Sequence, residues 1–314
     1  MEKEFYAFGT MNYIRIELPA KDIRQEDILN QMEKICIDLD KKLSVFREES
    51  EIARINLLAG REKVSASGIT WQLLKKAYRV AEVTDGAFDI TICPAVKLWN
   101  IGHTKNPVIP SKDNCKKMKQ MVNFRDVILD EKEHSVYLKK KGQSIDLGGI
   151  AKGYAGDLIK EKLIESGVTS ALLNFGGNIL TIGKKMDGST WRIGIQNPLR
   201  ERGCMVGSIP LEDESLVTSG VNERFFIKNG IRYHHLLDPR TCEPAKSGVL
   251  SVSAAGKCSM DLDAFTTALF VSGPKKGLAL AKENNIEVFY LLENGEILAT
   301  KEFAIGKYQF TRGE

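Results

Sequence analysis

Apolar residues recur along this chain at two different periods, and the longer one, together with helix end signals, predicts helices. In residues 25–46 the positions of Ile28, Met32 and Leu43 repeat every three or four residues, which places them near one helix face. Ser50 as N-cap and Gly60 as stop bound a shorter helix. The predicted helices span residues 25–46, 50–60, 68–86, 149–166, about 259–271 and about 275–284.

The shorter period, an alternation of polar and apolar residues, predicts strands separated by turns. It is clearest in residues 10–18, TMNYIRIEL, and residues 126–140 predict a hairpin that turns near Glu131 to His134. Further strands are predicted at residues 170–175, 178–183, 191–196, 204–211, 215–220, 223–230, 232–238, 248–256, 287–292 and 296–300.

Runs of strands with helices grouped between them are typical of an α+β fold with mostly antiparallel sheets. No linker rich in proline, glycine and serine divides the chain, so we expect a single domain over residues 1–314. Its main irregularity is a loop excursion at about residues 100–123, in which residues 100–114 form the longest apparent loop.

Composition and charge exclude several classes of protein. A formal net charge of +4 with scattered lysines does not indicate nucleic-acid binding. No apolar run approaches the ~18 residues of a membrane span, and the first residues, MEKEF, carry acids where a signal peptide is basic and then apolar. The six cysteines form no Cys-x-x-Cys pair, so we expect free thiols, no structural zinc and a cytoplasmic location.

The segment SIDLGGIAKGYA, residues 144–155, places an acid, two glycines and a lysine at the start of a predicted helix. The glycines allow close approach of the backbone to a ligand, and unpaired amides at a helix N-terminus suit a phosphate. Asp146 can accept hydrogen bonds from a ligand, and Lys152 adds a mobile cation. The alternative is an ordinary strand–turn–helix junction with Asp146 as a cap, since neither standard glycine-rich nucleotide motif is present.

A second candidate lies in SMDLDAFTTALFVSG, residues 259–273. Asp263 and Thr267 are four residues apart and share one helix face, where they offer hard oxygen ligands suited to Mg²⁺ or Ca²⁺. The alternative is that Asp263 stabilises the helix N-terminus and that the Thr267 side chain only packs against its neighbours. On these residues alone, that alternative is slightly favoured.

Three other stretches are candidates for ligand contact. RYHHLLDPRTCEP holds His234 and His235, which point to opposite faces if they lie in a strand and so do not bind one metal together. TDGAFDITICP can present Phe88 to a flat ring, or it can be a strand edge before a helix that starts at Pro94. NFGGNI is either a glycine bend or a point of ligand approach.

In this order, the stretches resemble the signatures of the ApbE family of FAD:protein FMN transferases. Those signatures run approximately as DGxFDxTxxP, DLGGxAKGYAxD, NxGGN, TSGxxER(F/Y)F, HHxxDPxTGxP and DAxATAxxxxG. This chain has DGAFDITICP, DLGGIAKGYAGD, NFGGNI, TSGVNERFF, HHLLDPRTCEP and DAFTTALFVSG. The resemblance extends from about residue 8 to 300, with Cys242 at a position where the family has glycine.

The resemblance implies a role for individual residues. Mg²⁺ would be bound by the carbonyl of Gly149 and by the side chains of Asp263 and Thr267, with Thr266 as a possible fourth ligand. His235 would lie near the flavin phosphates. The catalytic residues would be His235, Lys152 and Asp263. The residues implied to contact FAD are Phe8, Phe46, Ala87, Phe88, Asp89, Asp146, Lys152 and Leu237.

The implied activity is Mg²⁺-dependent transfer of FMN from FAD to a threonine or serine hydroxyl of an acceptor protein, with release of AMP. The acceptor would be a flavoprotein with its target in a short segment similar to (D/S)GA(S/T)GAT. His235 or a ligating carboxylate would take the hydroxyl proton. Two alternatives stay open, a Mg²⁺-dependent FAD pyrophosphatase and a non-catalytic FAD-binding protein.

Overall fold

The computed structural model describes residues 1–18 and 24–313. The strands are, in chain order, β1 (Glu2–Ala7), β2 (Thr10–Ile16), β3 (Val64–Ser65), β4 (Val127–Asp130), β5 (Ser135–Leu138), β6 (Ala171–Phe175), β7 (Asn178–Ile182), β8 (Trp191–Gln196), β9 (Met205–Leu211), β10 (Ser215–Gly220), β11 (Phe225–Lys228), β12 (Ile231–His234), β13 (Leu237–Asp238), β14 (Glu243–Pro244), β15 (Val249–Gly256), β16 (Glu287–Leu292), β17 (Ile297–Ala299) and β18 (Thr311–Arg312). The α-helices are α1 (Gln25–Leu43), α2 (Glu51–Leu57), α3 (Gly68–Val83), α4 (Cys93–Trp99), α5 (Lys112–Lys119), α6 (Ala151–Glu165), α7 (Ser259–Glu283) and α8 (Lys301–Ala304).

The central sheet has eight strands in the order β1-β2-β6-β7-β10-β15-β16-β17, and every neighbouring pair is antiparallel. Smaller antiparallel sheets have the orders β18-β9-β8, β3-β5-β4, β11-β12 and β13-β14. The predicted α+β fold with mostly antiparallel sheets is therefore confirmed.

Helices α6 and α7 connect the central sheet to the candidate site. Helix α6 packs on β6 and β7, while α7 packs on β10 and β15. All of β15 except its last residue is buried, as expected for a strand in the middle of the sheet with a covering helix. The two helices also pack on each other, so their N-termini are fixed by the same core.

Local end signals explain several boundaries. The side chain of Ser50 accepts a 2.9 Å hydrogen bond from the amide of Ala53, as the N-cap prediction requires. The two helices predicted at the C-terminal end form α7, which is interrupted at Gly273, where φ is 72° and ψ is 171°. Pro274 follows the interruption, since proline fits the first turn of a new helical segment.

The predicted loop excursion at residues 100–123 is wrong in one part, because it contains helix α5. Ser111 caps this helix by accepting a 3.2 Å hydrogen bond from Asn114, and Cys115 is its buried residue. A lysine-rich helix with one buried side chain has no apolar stripe to reveal it. The strands predicted at 223–230 and 232–238 are also shorter, since β11 and β12 form a hairpin and β13 has two residues.

Within residues 1–18 and 24–313, no helix combines the length and apolarity that a membrane span requires.

Candidate active site

The turn before α6 brings the motif glycines against α7. The amide of Gly148 donates a 2.7 Å hydrogen bond to Oδ1 of Asp146, which holds the carboxylate within its own turn. A Cβ added at Gly149 would lie 3.1 Å from the ring of Phe88 and 3.5 Å from Oγ1 of Thr267. The backbone of residue 149 therefore lies beside α7 in a space where a side chain would crowd its neighbours.

The two helices approach most closely at Gly153. A Cβ at this position would lie 2.7 Å from Cα of Met260 and closer still to the carbonyl oxygen of Ser259, so only glycine permits the crossing. Each helix also satisfies amides at the start of the other. Oδ2 of Asp263 in α7 accepts a 2.9 Å hydrogen bond from the amide of Gly153 in α6.

The reciprocal contact comes from Asp157 in α6. Its two carboxylate oxygens accept hydrogen bonds of 2.9 Å from the amide of Ser259 and 2.8 Å from that of Met260. Both acids thus occupy positions where a helix N-terminus favours negative charge. Asp263 does stabilise a helix N-terminus, but the helix is α6 and not its own helix α7.

Oxygen atoms suited to a divalent cation converge at this crossing. The Asp263 side chain is buried, and its Oδ1 has only a long contact of 3.5 Å with Nζ of Lys152. Because the Gly153 amide donates to Asp263, the carbonyl of Gly149 does not receive the bond expected from the fourth residue of a continuing helix. The Thr267 hydroxyl, half-buried beside Gly149, makes no hydrogen bond within the described residues.

This donor set fits Mg²⁺ and does not fit zinc. Magnesium in proteins is bound by one or two carboxylates, neutral oxygens and the phosphates of a substrate. Among the described residues, no three His, Cys, Asp or Glu side chains form a group suited to holding a metal by themselves. The site therefore suits a cation that arrives with, or is completed by, a phosphate ligand.

Thr266 differs from Thr267 because its hydroxyl is already bonded. It is fully buried, donates a 3.0 Å hydrogen bond to the carbonyl of Asp263 and accepts one of 3.0 Å from Ser219 in β10. The hydroxyl therefore links α7 to the central sheet. Of the two threonines implied by the resemblance, Thr267 is the one whose hydroxyl makes no hydrogen bond among the described residues.

The two adjacent histidines have different environments and different tautomers. Nε2 of His234 donates to the carbonyl of Ala245 at 3.2 Å, and its buried Nδ1 has no partner among residues 1–18 and 24–313. Nδ1 of His235 donates to the carbonyl of Arg224 at 3.2 Å, because a carbonyl can only accept, and this leaves Nε2 of the neutral ring unprotonated. Burial is the main cause that lowers the pKa of His234 to about 4 and of His235 to about 3.

Arg224 also affects His235 through its charge. The guanidinium is the second cause of the lowered pKa of His235, and the ammonium of Lys152 contributes in the same direction. The imidazole of His235 is therefore neutral at pH 7, with a proton-accepting nitrogen available. A bound anion would oppose this effect and raise the pKa of His235.

Ala87, Phe88 and Asp89 are buried. Ala87 and Phe88 belong to the large core, and Asp89 begins the 3₁₀ turn Ile90–Ile92. Oδ1 of Asp89 accepts hydrogen bonds from the amide and hydroxyl of Thr91, and Oδ2 accepts one of 2.9 Å from the amide of Phe124. Burial raises the pKa of this carboxyl, while its three donors oppose the rise. Asp89 therefore links the turn that contains Thr91 to the segment that contains Phe124.

The aromatic residues expected at the flavin lie in different settings. Phe8 is half-buried at the β1–β2 turn with a φ of 54°, and Phe46 is exposed with its ring centroid 4.5 Å from that of His103. Leu237 is buried in a small cluster that also contains Trp99 and Cys242. The guanidinium of Arg224 contacts both the carbonyl of Gly9, next to Phe8, and the ring of His103, beside Phe46. Leu237 belongs to a separate apolar cluster.

Arg224 is a residue to which the sequence assigned no role. It lies within TSGVNERFF, and its guanidinium donates to the carbonyl of Gly9 at 3.2 Å and to Nε2 of His103 at 3.3 Å. Its own carbonyl accepts from both the amide and Nδ1 of His235. The available signal was its place in TSGVNERFF, one of the stretches that resemble the family signatures.

Comparisons with known proteins identify the family and the fold of this chain. A sequence model described as the ApbE family matches residues 8–290. A protein of Klebsiella pneumoniae (strain 342) named FAD:protein FMN transferase is 38% identical over 257 residues, which cover 82% of this chain and 79% of that protein. A protein of Treponema pallidum (strain Nichols) with the same name is 35% identical over 292 residues, covering 88% and 79%.

Solved structures show the same fold. The crystal structure of the ApbE protein from Thermotoga maritima has a TM-score of 0.86 with this chain at 33% identity, covering 96% of this chain and 97% of that one. The flavin transferase ApbE from Vibrio cholerae also has a TM-score of 0.86, at 26% identity, with coverage of 96% and 98%. With a matched signature over most of its length and this shared fold, the chain belongs to the ApbE family.

Proposed function

We propose that this protein transfers FMN from FAD to a threonine or serine hydroxyl of an acceptor protein in a Mg²⁺-dependent reaction. The similarity to proteins named FAD:protein FMN transferase supports the activity. The observation that carries the chemistry is the crossing of α6 and α7, where the buried carboxylate of Asp263 meets the N-terminus of α6, 110 residues earlier in the chain. This crossing supplies an acid, a lysine and free oxygens in one place.

Asp263, Thr267 and the carbonyl of Gly149 are the residues that would hold Mg²⁺. When bound, the cation would neutralise charge on the diphosphate of FAD and on the departing AMP. Thr266 is not part of this set in our proposal, because its hydroxyl bonds to Ser219 and to the Asp263 carbonyl. Lys152, 3.5 Å from Asp263, and the amides of α6 would add positive charge where the transition state gains negative charge.

In the proposed reaction the acceptor hydroxyl oxygen bonds to the phosphorus on the FMN side. The bond between this phosphorus and the oxygen of the AMP phosphate breaks, and the electron pair leaves with AMP. Nε2 of His235 accepts the hydroxyl proton, since Nδ1 is committed to the Arg224 carbonyl. The products are a phosphoester-linked flavoprotein and AMP.

Asp146 and the aromatic residues Phe8 and Phe46 would contact the flavin dinucleotide, as the family resemblance implies. Burial raises the pKa of the Asp146 carboxyl, and the hydrogen bond from the Gly148 amide and the charge of Arg224 oppose the rise. For Ala87, Phe88, Asp89 and Leu237, burial favours a role in shaping the wall behind the ligand rather than direct hydrogen bonding.

The activity is tested by incubating the protein with FAD, Mg²⁺ and a peptide that contains Ser-Gly-Ala-Thr-Gly-Ala-Thr. Mass spectrometry should show a peptide heavier by the mass of FMN less one water, together with an equal amount of AMP. A peptide with alanine at both threonine positions and at the serine is the matched control. AMP with free FMN would favour a pyrophosphatase, and intact FAD would favour a carrier.

A further inference from the structure

The side chain of Arg224 lies in a cradle formed by two backbone turns, at Gly9 and Gly102, that are distant from it in sequence. A Cβ added at Gly9 would lie 2.5 Å from Nη2 of Arg224, and one added at Gly102 would lie 2.9 Å from its Cδ. Both glycines have positive φ, of 70° and 81°. Two backbone turns are therefore shaped around this side chain, and a larger residue at either turn would displace it.

The cradle uses only part of the hydrogen-bonding capacity of the guanidinium. Arginine has five N–H donors in a planar fork, and the contacts here are one to the Gly9 carbonyl and one to Nε2 of His103. Neither partner is charged: His103 accepts and is therefore unprotonated at this nitrogen. Among residues 1–18 and 24–313, no carboxylate lies within 4.0 Å of the guanidinium.

The charges of Arg224 and Asp146 interact over a longer distance, but among the described residues no carboxylate is in hydrogen-bonding contact with the guanidinium, so its remaining N–H groups are available to an anion. The surroundings indicate an anion. His235, which is hydrogen-bonded to the Arg224 carbonyl, is subject to the positive charge of both Arg224 and Lys152. The neutral imidazole of His235 is thus close to two cations. Lys152 lies at the start of α6, and the guanidinium of Arg224 contacts the β1–β2 turn.

We propose that Arg224 is a phosphate-binding residue of this site and donates its free N–H groups to the diphosphate of the flavin dinucleotide. A guanidinium presents a fork that matches two phosphate oxygens, which Lys152 cannot do. This inference rests on the proposed function, because that function supplies the ligand. It adds a second cation, besides Lys152, to the residues that the family resemblance implies.

The Arg224 side chain also lies close to two of the aromatic residues that the resemblance implies at the ligand. It contacts the carbonyl of Gly9, next to Phe8, and His103, whose ring lies against Phe46.

The test compares FAD with riboflavin, which has the isoalloxazine ring and no phosphate. Their dissociation constants are measured by flavin fluorescence in EDTA, so that the contribution of a divalent cation is removed. The variants are Arg224→Gln and Arg224→Lys, with Arg79→Gln on the exposed face of α3 as the matched control. Circular dichroism and thermal unfolding check that each variant is folded.

We expect Arg224→Gln to weaken FAD binding by about 10- to 100-fold, as for the loss of a charged hydrogen-bonded pair, and to leave riboflavin binding unchanged. Arg224→Lys should be intermediate, since it keeps the charge and loses the fork. Unchanged FAD binding in Arg224→Gln would overturn the proposal. An equal loss for FAD and riboflavin would also overturn it, by showing a structural role alone.

If Arg224→Gln does not fold, the same comparison of FAD and riboflavin dissociation constants is made with Arg224→Lys. A loss of affinity for FAD alone supports the proposal, and unchanged FAD affinity or an equal loss for both ligands overturns it. The proposed function is judged separately, from FMN-labelled peptide and AMP formed by the unmodified protein. Transfer without a selective loss of FAD binding in the variants would refute the role of Arg224 and leave the activity in place.

Discussion

Oδ2 of Asp263 accepts a 2.9 Å hydrogen bond from the backbone amide of Gly153, which lies 110 residues earlier in the chain. This bond fixes the carboxylate at the start of α6 and diverts the Gly153 amide from the carbonyl of Gly149. One contact thus has two effects, since it positions an acid and leaves a backbone oxygen free. The reciprocal bonds from Asp157 hold the start of α7 in the same way.

The helix crossing predicts a strong effect of Gly153→Ala. The added methyl group would overlap the Ser259–Met260 backbone, which cannot move as a flexible side chain can. We expect a loss of about 1–3 kcal/mol in the free energy of unfolding, measured by urea denaturation, and weaker Mg²⁺-dependent activity. Gly68→Ala at the start of α3, where a Cβ would meet nothing within 4 Å, is the control and should be neutral or slightly stabilising.

The adjacent threonines should give opposite results. Thr267→Val removes a hydroxyl that makes no hydrogen bond to the part of the chain that the structure describes, so stability should change little while the Mg²⁺ concentration for half-maximal transfer rises. Thr266→Val breaks the link between Ser219 and the Asp263 carbonyl, and should lower the free energy of unfolding by about 1–2 kcal/mol. A Mg²⁺ requirement altered only by the Thr266 variant would reverse our assignment.

Asp89→Asn separates a framework role from a ligand contact. An amide has a single acceptor oxygen and cannot accept from both Thr91 and Phe124, so we expect a loss of about 1–3 kcal/mol in stability. The FAD affinity of the folded protein should be unchanged. Asp113→Asn, at an exposed position of α5, is the matched control. Full stability combined with weakened FAD binding would instead support direct contact with the ligand.

Stability should depend on pH through His234. The folded protein holds this imidazole neutral down to a pKa of about 4, whereas the unfolded chain binds a proton near pH 6.5. Between these values the unfolded state binds more protons, so stability falls as the pH is lowered, by up to about 1.4 kcal/mol per pH unit. His234→Gln, which can still donate to Ala245, should show a shallower slope in urea unfolding at pH 4.5–6.5. An identical slope in both proteins would exclude His234 as the source.

The sequence predicted the elements with strong periodicity or clear end signals. The hairpin at 126–140 is confirmed by the pairing of β4 with β5, and Ser50 caps its helix as expected. Helix α5 could not be predicted from an apolar stripe, because its exposed lysine-rich faces leave only Cys115 buried. Cys242, at the position where the family has glycine, adopts a φ of 57°, so the left-handed turn is retained at the cost of backbone strain.

The composition of the candidate site was predictable in part. Spacing alone placed Asp263 and Thr267 on one helix face, and the structure adds that Gly149 lies beside Thr267. Spacing could not show that Asp89 is committed to Thr91 and Phe124, because Phe124 is distant in sequence. The same limit concealed Arg224, whose partners come from two remote turns.

The central claim is that the carboxylate of Asp263 holds Mg²⁺ against the FAD diphosphate, and Asp263→Asn tests it most directly. Asparagine can still accept from the Gly153 amide through its single oxygen, so urea unfolding should show a stability close to that of the unmodified protein. FMN transfer to the peptide, measured across a range of Mg²⁺ concentrations, should fall by about 100-fold or more. Transfer at an unchanged rate and with an unchanged Mg²⁺ requirement would contradict the account.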